Sequence, residues 1–198
     1  MLFNFSRHRK FMLGMITPFA LLCINGGVVP DLDFTDLDQN AKLGDVKTDV
    51  RLRSSVMIKA NKNLVWLSIH EYRTNYEELV YAKVLFREGP TSIIEQQFAV
   101  ARLGKATCTF LDTDCPPDKI TYQLLKSNLF SAMDGSWVMT PIADGKSTRL
   151  DLYCHAGIQG KVPRFLLRFG LSRSLKKRLE SVKRAAEKKA LTTDTVGA

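Results

Sequence analysis

The chain predicts an α+β fold in which one antiparallel β-sheet is closed by a long C-terminal helix. Two patterns carry that expectation. From Leu79 to Gly157 the apolar residues alternate with polar ones in short runs separated by turn residues, the period of half-buried strands. From Leu171 to Ala186 they recur at three- and four-residue steps, the period of an amphipathic helix. A length of 198 residues with 45% hydrophobic content suits a single substantial core.

Taken in order, Val50 to Ala60 alternates through Leu52, Val56 and Ile58 and reads as a strand with one buried face. Asn61 can cap a helix because its side chain accepts from a free backbone N–H. Leu64, Val65, Leu67 and Ile69 around Trp66 then suggest a short helix ending near Tyr72 to Tyr76. Leu79 to Arg87, a Glu88-Gly89-Pro90 turn and Thr91 to Arg102 form a hairpin. Ala106 to Asp112, Lys119 to Lys126, Gly135 to Ile142 and Thr148 to Gly157 continue the pattern, with turns at Cys115-Pro116-Pro117-Asp118 and Ala143-Asp144-Gly145-Lys146. The expected total is about seven strands. Leu171, Leu175, Leu179, Val182 and Ala186 mark the core face of the last helix, opened near Pro163, where a proline suits the first turn. A single antiparallel sheet cannot close its own apolar face, so this helix is expected to lie across it.

Ahead of the domain, Arg7, Arg9 and Lys10 precede the uncharged stretch Phe11 to Val29, and the acids Asp31, Asp33, Asp36 and Asp38 follow. Basic end, apolar run and polar start are the order of an export signal. Residues 1 to 29 are therefore read as a signal peptide or a retained membrane anchor, and residues 30 to 49 as an acidic linker. The domain is expected outside the cytoplasm, periplasmic or extracellular, over residues 50 to 190, with a disordered tail at 191 to 198.

The net charge of +9 is concentrated at one end, since residues 161 to 189 hold 11 Lys/Arg against two acids. Nucleic-acid binding is not expected, because that segment has no interleaved aromatics and no recognised motif. The four cysteines, Cys23, Cys108, Cys115 and Cys154, lack the C-x-x-C spacing and nearby histidines of a zinc site, so no metal is expected and the thiols are read as mostly buried. There is no phosphate-cradling glycine motif and no nucleophile elbow, and no cofactor is expected.

Strand, short helix, six antiparallel strands and long helix, taken together, resemble the START-like (SRPBCC) superfamily, in particular its polyketide cyclase/dehydrase and coenzyme-Q-binding lipid-transport types. Leu64-Val65-Trp66 looks like the family's helix after the first strand. Phe130-Ser131-Ala132-Met133-Asp134-Gly135-Ser136-Trp137 looks like its loop into the sixth strand, and Pro141 through Thr148-Arg149-Leu150 like its turn and seventh strand. The likeness spans Val50 to Lys189, although Tyr72 to Tyr76 lacks the proline often found there. It implies a helix-grip fold, a curved sheet wrapped around the long helix with an apolar cavity between them.

Tyr81, Gln97, Tyr122, Trp137 and Tyr153 lie on different expected strands, and any of them facing a cavity would fix a ligand's polar end. Their plainer reading is cross-strand pairing, because strand parity is open by one position. Trp66 belongs to the core or the pocket wall. His155 precedes the long helix and would act as a base only with a carboxylate or ligand proton in reach, Glu95 and Asp151 being the strand acids available. No residue is assigned a catalytic role. Arg173, Lys176, Lys177, Arg178, Lys183 and Arg184 form a cationic helix face suited to anionic lipid headgroups, or simply a solvated face.

The expected function is non-catalytic binding or transport of a lipid, quinone or similar apolar molecule by a monomer. The alternatives are a cyclase, dehydratase or aromatase with a polar dyad in the cavity, engaging His155 or Tyr122, and an interaction module that uses the basic helix.

Overall fold

A computed structural model describes residues 48–100, 103–142, 145–160 and 162–196. The expected signal or anchor, and the linker up to residue 47, lie outside the described residues. Among the described residues no helix is long and apolar enough to cross a membrane.

Strand β1 (Thr48–Ile58) leads into helix α1 (Lys62–Thr74), and six strands follow: β2 (Leu79–Glu88), β3 (Thr91–Val100), β4 (Gly104–Cys115), β5 (Lys119–Ser127), β6 (Phe130–Ile142) and β7 (Ser147–Ile158). Helix α2 (Arg164–Val196) completes the fold and continues beyond Ala190, where the domain was expected to end. The seven strands form one antiparallel sheet in the order β1-β7-β6-β5-β4-β3-β2. This curved sheet with a long C-terminal helix is the helix-grip arrangement.

Local chemistry sets the element ends. The Asn61 side chain accepts from the Leu64 backbone N–H at 3.0 Å, the N-cap bond that starts α1. Gly89 turns β2 into β3 at φ 54°, a left-handed value that favours glycine. One boundary differs from expectation. Phe130 to Asp134 forms the first part of β6, not a loop. An irregularity in the β6–β7 register between Phe130 and Ala132 breaks the two-residue alternation there and hides the strand from a periodicity reading.

Two packed clusters lie under the helices. In the first, Leu175, Leu179, Val182 and Ala186 of α2 meet Val65 and Ile69 of α1 and Ile58, Ile120, Leu150 and Leu152 of the sheet. In the second, Leu167 meets Val50, Phe98, Phe110, Phe130 and Ile158. On β7 the even-numbered Leu150, Leu152, Cys154 and Ala156 face this core, so Arg149, Asp151, Tyr153 and His155 face the opposite side. Cys108 and Cys154 are buried free thiols, as expected of most of the cysteines, whereas Cys115 is disulfide-bonded.

Candidate functional site

The site grows from side chains that share one face. On β4, Phe110 and Asp112 stand two residues apart and point the same way, and the β3–β4 register sets Gln96 of β3 beside them across Cys108. Tyr122 of β5 pairs with Asp112 and with Gly135 of β6, which brings Met133 and Trp137 onto the same wall. Gly135 is needed there: a Cβ would collide with the Tyr122 hydroxyl and the Tyr153 carbonyl. Above the sheet, Tyr72, Arg73 and Tyr76 at the end of α1, and Arg178 of α2, close a cavity of about 50 Å³.

Its walls are largely aromatic. Tyr72 stacks on Tyr76 with ring centroids 5.5 Å apart and meets Trp137 edge-on at 6.3 Å, while Phe110 meets Tyr122 edge-on at 6.2 Å. Burial pushes the hydroxyls of Tyr72, Tyr76 and Tyr122 above the usual tyrosine value, so all three stay neutral near pH 7.

The polar groups divide into two sets. Arg73 is nearly buried and ion-paired through Nη2 to Asp112 Oδ2, with Asp114 Oδ1 at 3.9 Å from Nη1. Asp112 is 3% exposed, and its second oxygen, Oδ1, has no hydrogen-bond partner. Next to this pair, His70 Nε2 lies 3.8 Å from Asp114, and burial holds its pKa below the ordinary histidine value despite the attraction of Asp114. The second set is Arg178 alone. Its guanidinium lies 6.0 Å from the centre of the Tyr76 ring, and among the described residues no carboxylate pairs with it. Glu78, whose carboxylate feels Arg178, is taken by Lys177 at 2.5 Å.

Of the residues singled out in the sequence, Tyr122 and Trp137 line this cavity. The others lie elsewhere. Gln97 binds Thr107 Oγ1 at 3.0 Å, and its neighbour Gln96 lines the cavity instead, a parity difference of one residue. Tyr81 is exposed and donates to Glu95 at 2.9 Å. Trp66 packs on the core, 4.8 Å from the His70 ring. Tyr153, under Arg53 at 5.0 Å, and His155 are on the far face of the sheet. The carboxylates beside His155 are Asp49 at 3.1 Å and Asp134 at 3.5 Å, not Glu95 or Asp151. Asp151 is buried among Arg53, Ser55 and Arg149, so Arg149 pairs on the sheet's outer face.

Along α2, Arg173, Lys176 and Arg184 are exposed and Lys183 is half-buried; Lys177 is exposed but tied to Glu77 and Glu78. Arg178, expected on that cationic face, turns into the cavity. A spacing signal existed: Arg178 lies three residues after Leu175 and four before Val182, on the apolar seam itself. Asp112 continues the inward alternation of Cys108 and Phe110 and carried a similar signal. Arg73 gave none, because its partner on β4 is distant in sequence.

No family model and no curated protein matches the chain. Solved structures do. The Zhui aromatase/cyclase from Streptomyces sp. R1128 is 18% identical with a TM-score of 0.60, covering 72% of this chain and 96% of its own. A START superfamily protein from Mycobacterium smegmatis is 13% identical with a TM-score of 0.59, covering 72% and 98%. The human StarD13 (DLC2) lipid transfer and protein localization domain is 18% identical with a TM-score of 0.56, covering 73% and 80%. With the sheet order, the gripped helix and the cavity between them, these likenesses establish that the described part of the chain has the START-like helix-grip fold.

Proposed function

We propose that this domain binds a small molecule with an apolar body in the cavity between the sheet and α2, and carries it without chemical change. The observation behind this reading is the aromatic cavity closed by Tyr72, Tyr76, Tyr122 and Trp137. Burying apolar ligand surface there contributes about 25 cal/mol per Å² before ordering costs, enough to retain a ligand without catalysis. A volume of about 50 Å³ holds only a few waters, so a ligand must displace side chains of α1 or α2 as it settles. The sheet provides an apolar approach: Ala82 and Val84 of edge strand β2, opposite Gln96 and Ile94, extend the cavity face outward, and Val84 is exposed.

Exposed Phe165, Leu166 and Phe169 at the start of α2, beside Arg168 and Arg173, support a docking role at an anionic membrane surface. The export-like N-terminal sequence and the disulfide at Cys115 support a place outside the reducing cytosol. A cyclase reading is favoured by one observation, the Arg73–Asp112 pair and the Tyr122 hydroxyl in one cavity. It requires that Tyr122→Phe abolish turnover of a polyketide-like substrate while sparing its binding.

The test is native mass spectrometry, with solvent extraction, of the full chain purified from its own host. A stoichiometric apolar molecule recovered unchanged is the expected result. A protein that emerges empty and takes up no apolar dye overturns the reading.

A further inference from the structure

We infer that the cavity selects ligands with an acidic head, a carboxylate or a group of like charge, which Arg178 binds from α2. The inference rests on the ligand-binding reading above and names the class of ligand.

The argument begins with charge. The cavity holds two guanidinium groups and one carboxylate, and that carboxylate, Asp112, is committed to Arg73. Arg178 keeps its proton at any physiological pH, and the three tyrosines around it are neutral, so one positive charge in a partly desolvated site lacks a counter-charge. An unpaired cation away from water is costly, and an anion delivered by a ligand removes that cost. If Arg178 served only the protein's stability, a carboxylate from β3 or β4 would be expected beside it, as Asp112 stands beside Arg73. It faces the Tyr76 ring instead, which stabilises a cation without neutralising it.

The second observation is independent of charge. Asp112 Oδ1 is buried, has no donor among the described residues, and belongs to the same cavity wall. An acceptor left in that state calls for a hydroxyl or water proton. The cavity thus offers a cation for the acidic group and an acceptor for a neighbouring donor. A fatty acid uses the first alone, and a hydroxylated acid uses both.

The experiment uses the full chain and two probes of matched apolar length, dodecanoate and dodecanol, titrated by calorimetry near pH 7. Wild type is expected to bind dodecanoate at least about tenfold more tightly, as suits a charge-assisted hydrogen bond. Arg178→Gln is expected to erase that preference by weakening dodecanoate far more than dodecanol, and Arg178→Lys to keep part of it. Lys176→Gln, on the exposed side of α2, controls for general attraction of anions to a basic protein and is expected to keep the full preference. Because Arg178 makes no ion pair, its removal leaves no carboxylate stranded, and a thermal melt checks that the variants fold. Equal binding of both probes by wild type, or an unchanged preference in Arg178→Gln, overturns the inference while the ligand-binding reading stands. Failure of wild type to bind either probe overturns both.

Discussion

The two halves of the sheet face beneath the helices are built for opposite purposes. Around β1, β7 and the end of β6 at Met139 it is close-packed: Ile58, Val65, Ile69, Leu150, Leu152 and Val182 have essentially no exposure, and α2 lies against β1 and β7. Toward β3 and β4 it holds a cavity, two arginines and an acid with an unpartnered oxygen, and it ends in the open edge of β2. Close packing stabilises the first half, and the second gives up packing for polar groups that a ligand can use. On the proposed reading, stability and recognition are separated along a single helix, Leu179 and Val182 serving the one and Arg178 the other.

Substitutions can break this division. The largest effect is expected from Leu152→Ala in the close-packed half, a loss of about 3 to 5 kcal/mol in denaturant unfolding, since a fully buried leucine leaves a cavity that its neighbours cannot fill. Ligand affinity measured on the folded fraction should hold. Asp112→Ala leaves the buried Arg73 charge only the longer contact with Asp114 at 3.9 Å and is expected to cost about 3 kcal/mol, with most of it recovered when Arg73→Met is combined with Asp112→Leu. A double substitution as unstable as the single one would show that the pair is not the source of the loss.

Gly135→Ala sharpens the comparison at the boundary between the halves. The new Cβ meets the Tyr153 backbone carbonyl as well as the Tyr122 ring and displaces both, so the expected result is a stability loss of about 3 kcal/mol together with weakened ligand binding. Retained affinity would remove Tyr122 from the cavity's working residues.

The smallest effect lies on the far face of the sheet. His155 sits between Asp134 and Asp49; its hydrogen bond to Asp134 raises its pKa against the opposing effect of burial, and Asp49 adds to the rise against Arg51. A raised folded-state value means that this contribution is complete below the ordinary histidine value of 6.5 and fades as pH rises through the folded-state pKa. With both carboxylates partly exposed, its size is about 0.5 kcal/mol. The stability margin of wild type over His155→Gln should therefore shrink from pH 6 to pH 8, with ligand binding unchanged. A margin that grows over this range would reverse the sign of the His155 contribution.

The order of elements was legible because it rests on local periodicity: Leu171, Leu175, Leu179 and Val182 announce α2, and the alternation of Leu52, Val56 and Ile58 announces β1. The site was less legible because it depends on parity and on distant contacts. Gln96 and Gln97 are equivalent in composition, and only the register of β3 against β4 decides which faces inward. The start of β6 was masked by its bulge, and the pairing of Arg73 with Asp112 joins a helix end to a strand that no local pattern connects. Arg178 was hidden by its company, one cation in a basic run, although its helical position sets it on the seam.

The central claim, that the ligand lies in the β3–β6 half under α2, is tested most directly by methyl NMR of the methionines during titration with dodecanoate. Met133 lines the cavity, Met139 belongs to the close-packed core, and Met57 is exposed on β1. The expected result is a saturable shift of the Met133 methyl while Met57 and Met139 stay in place. A Met133 signal that does not move while calorimetry records binding, or a shift confined to Met57, would contradict the claim.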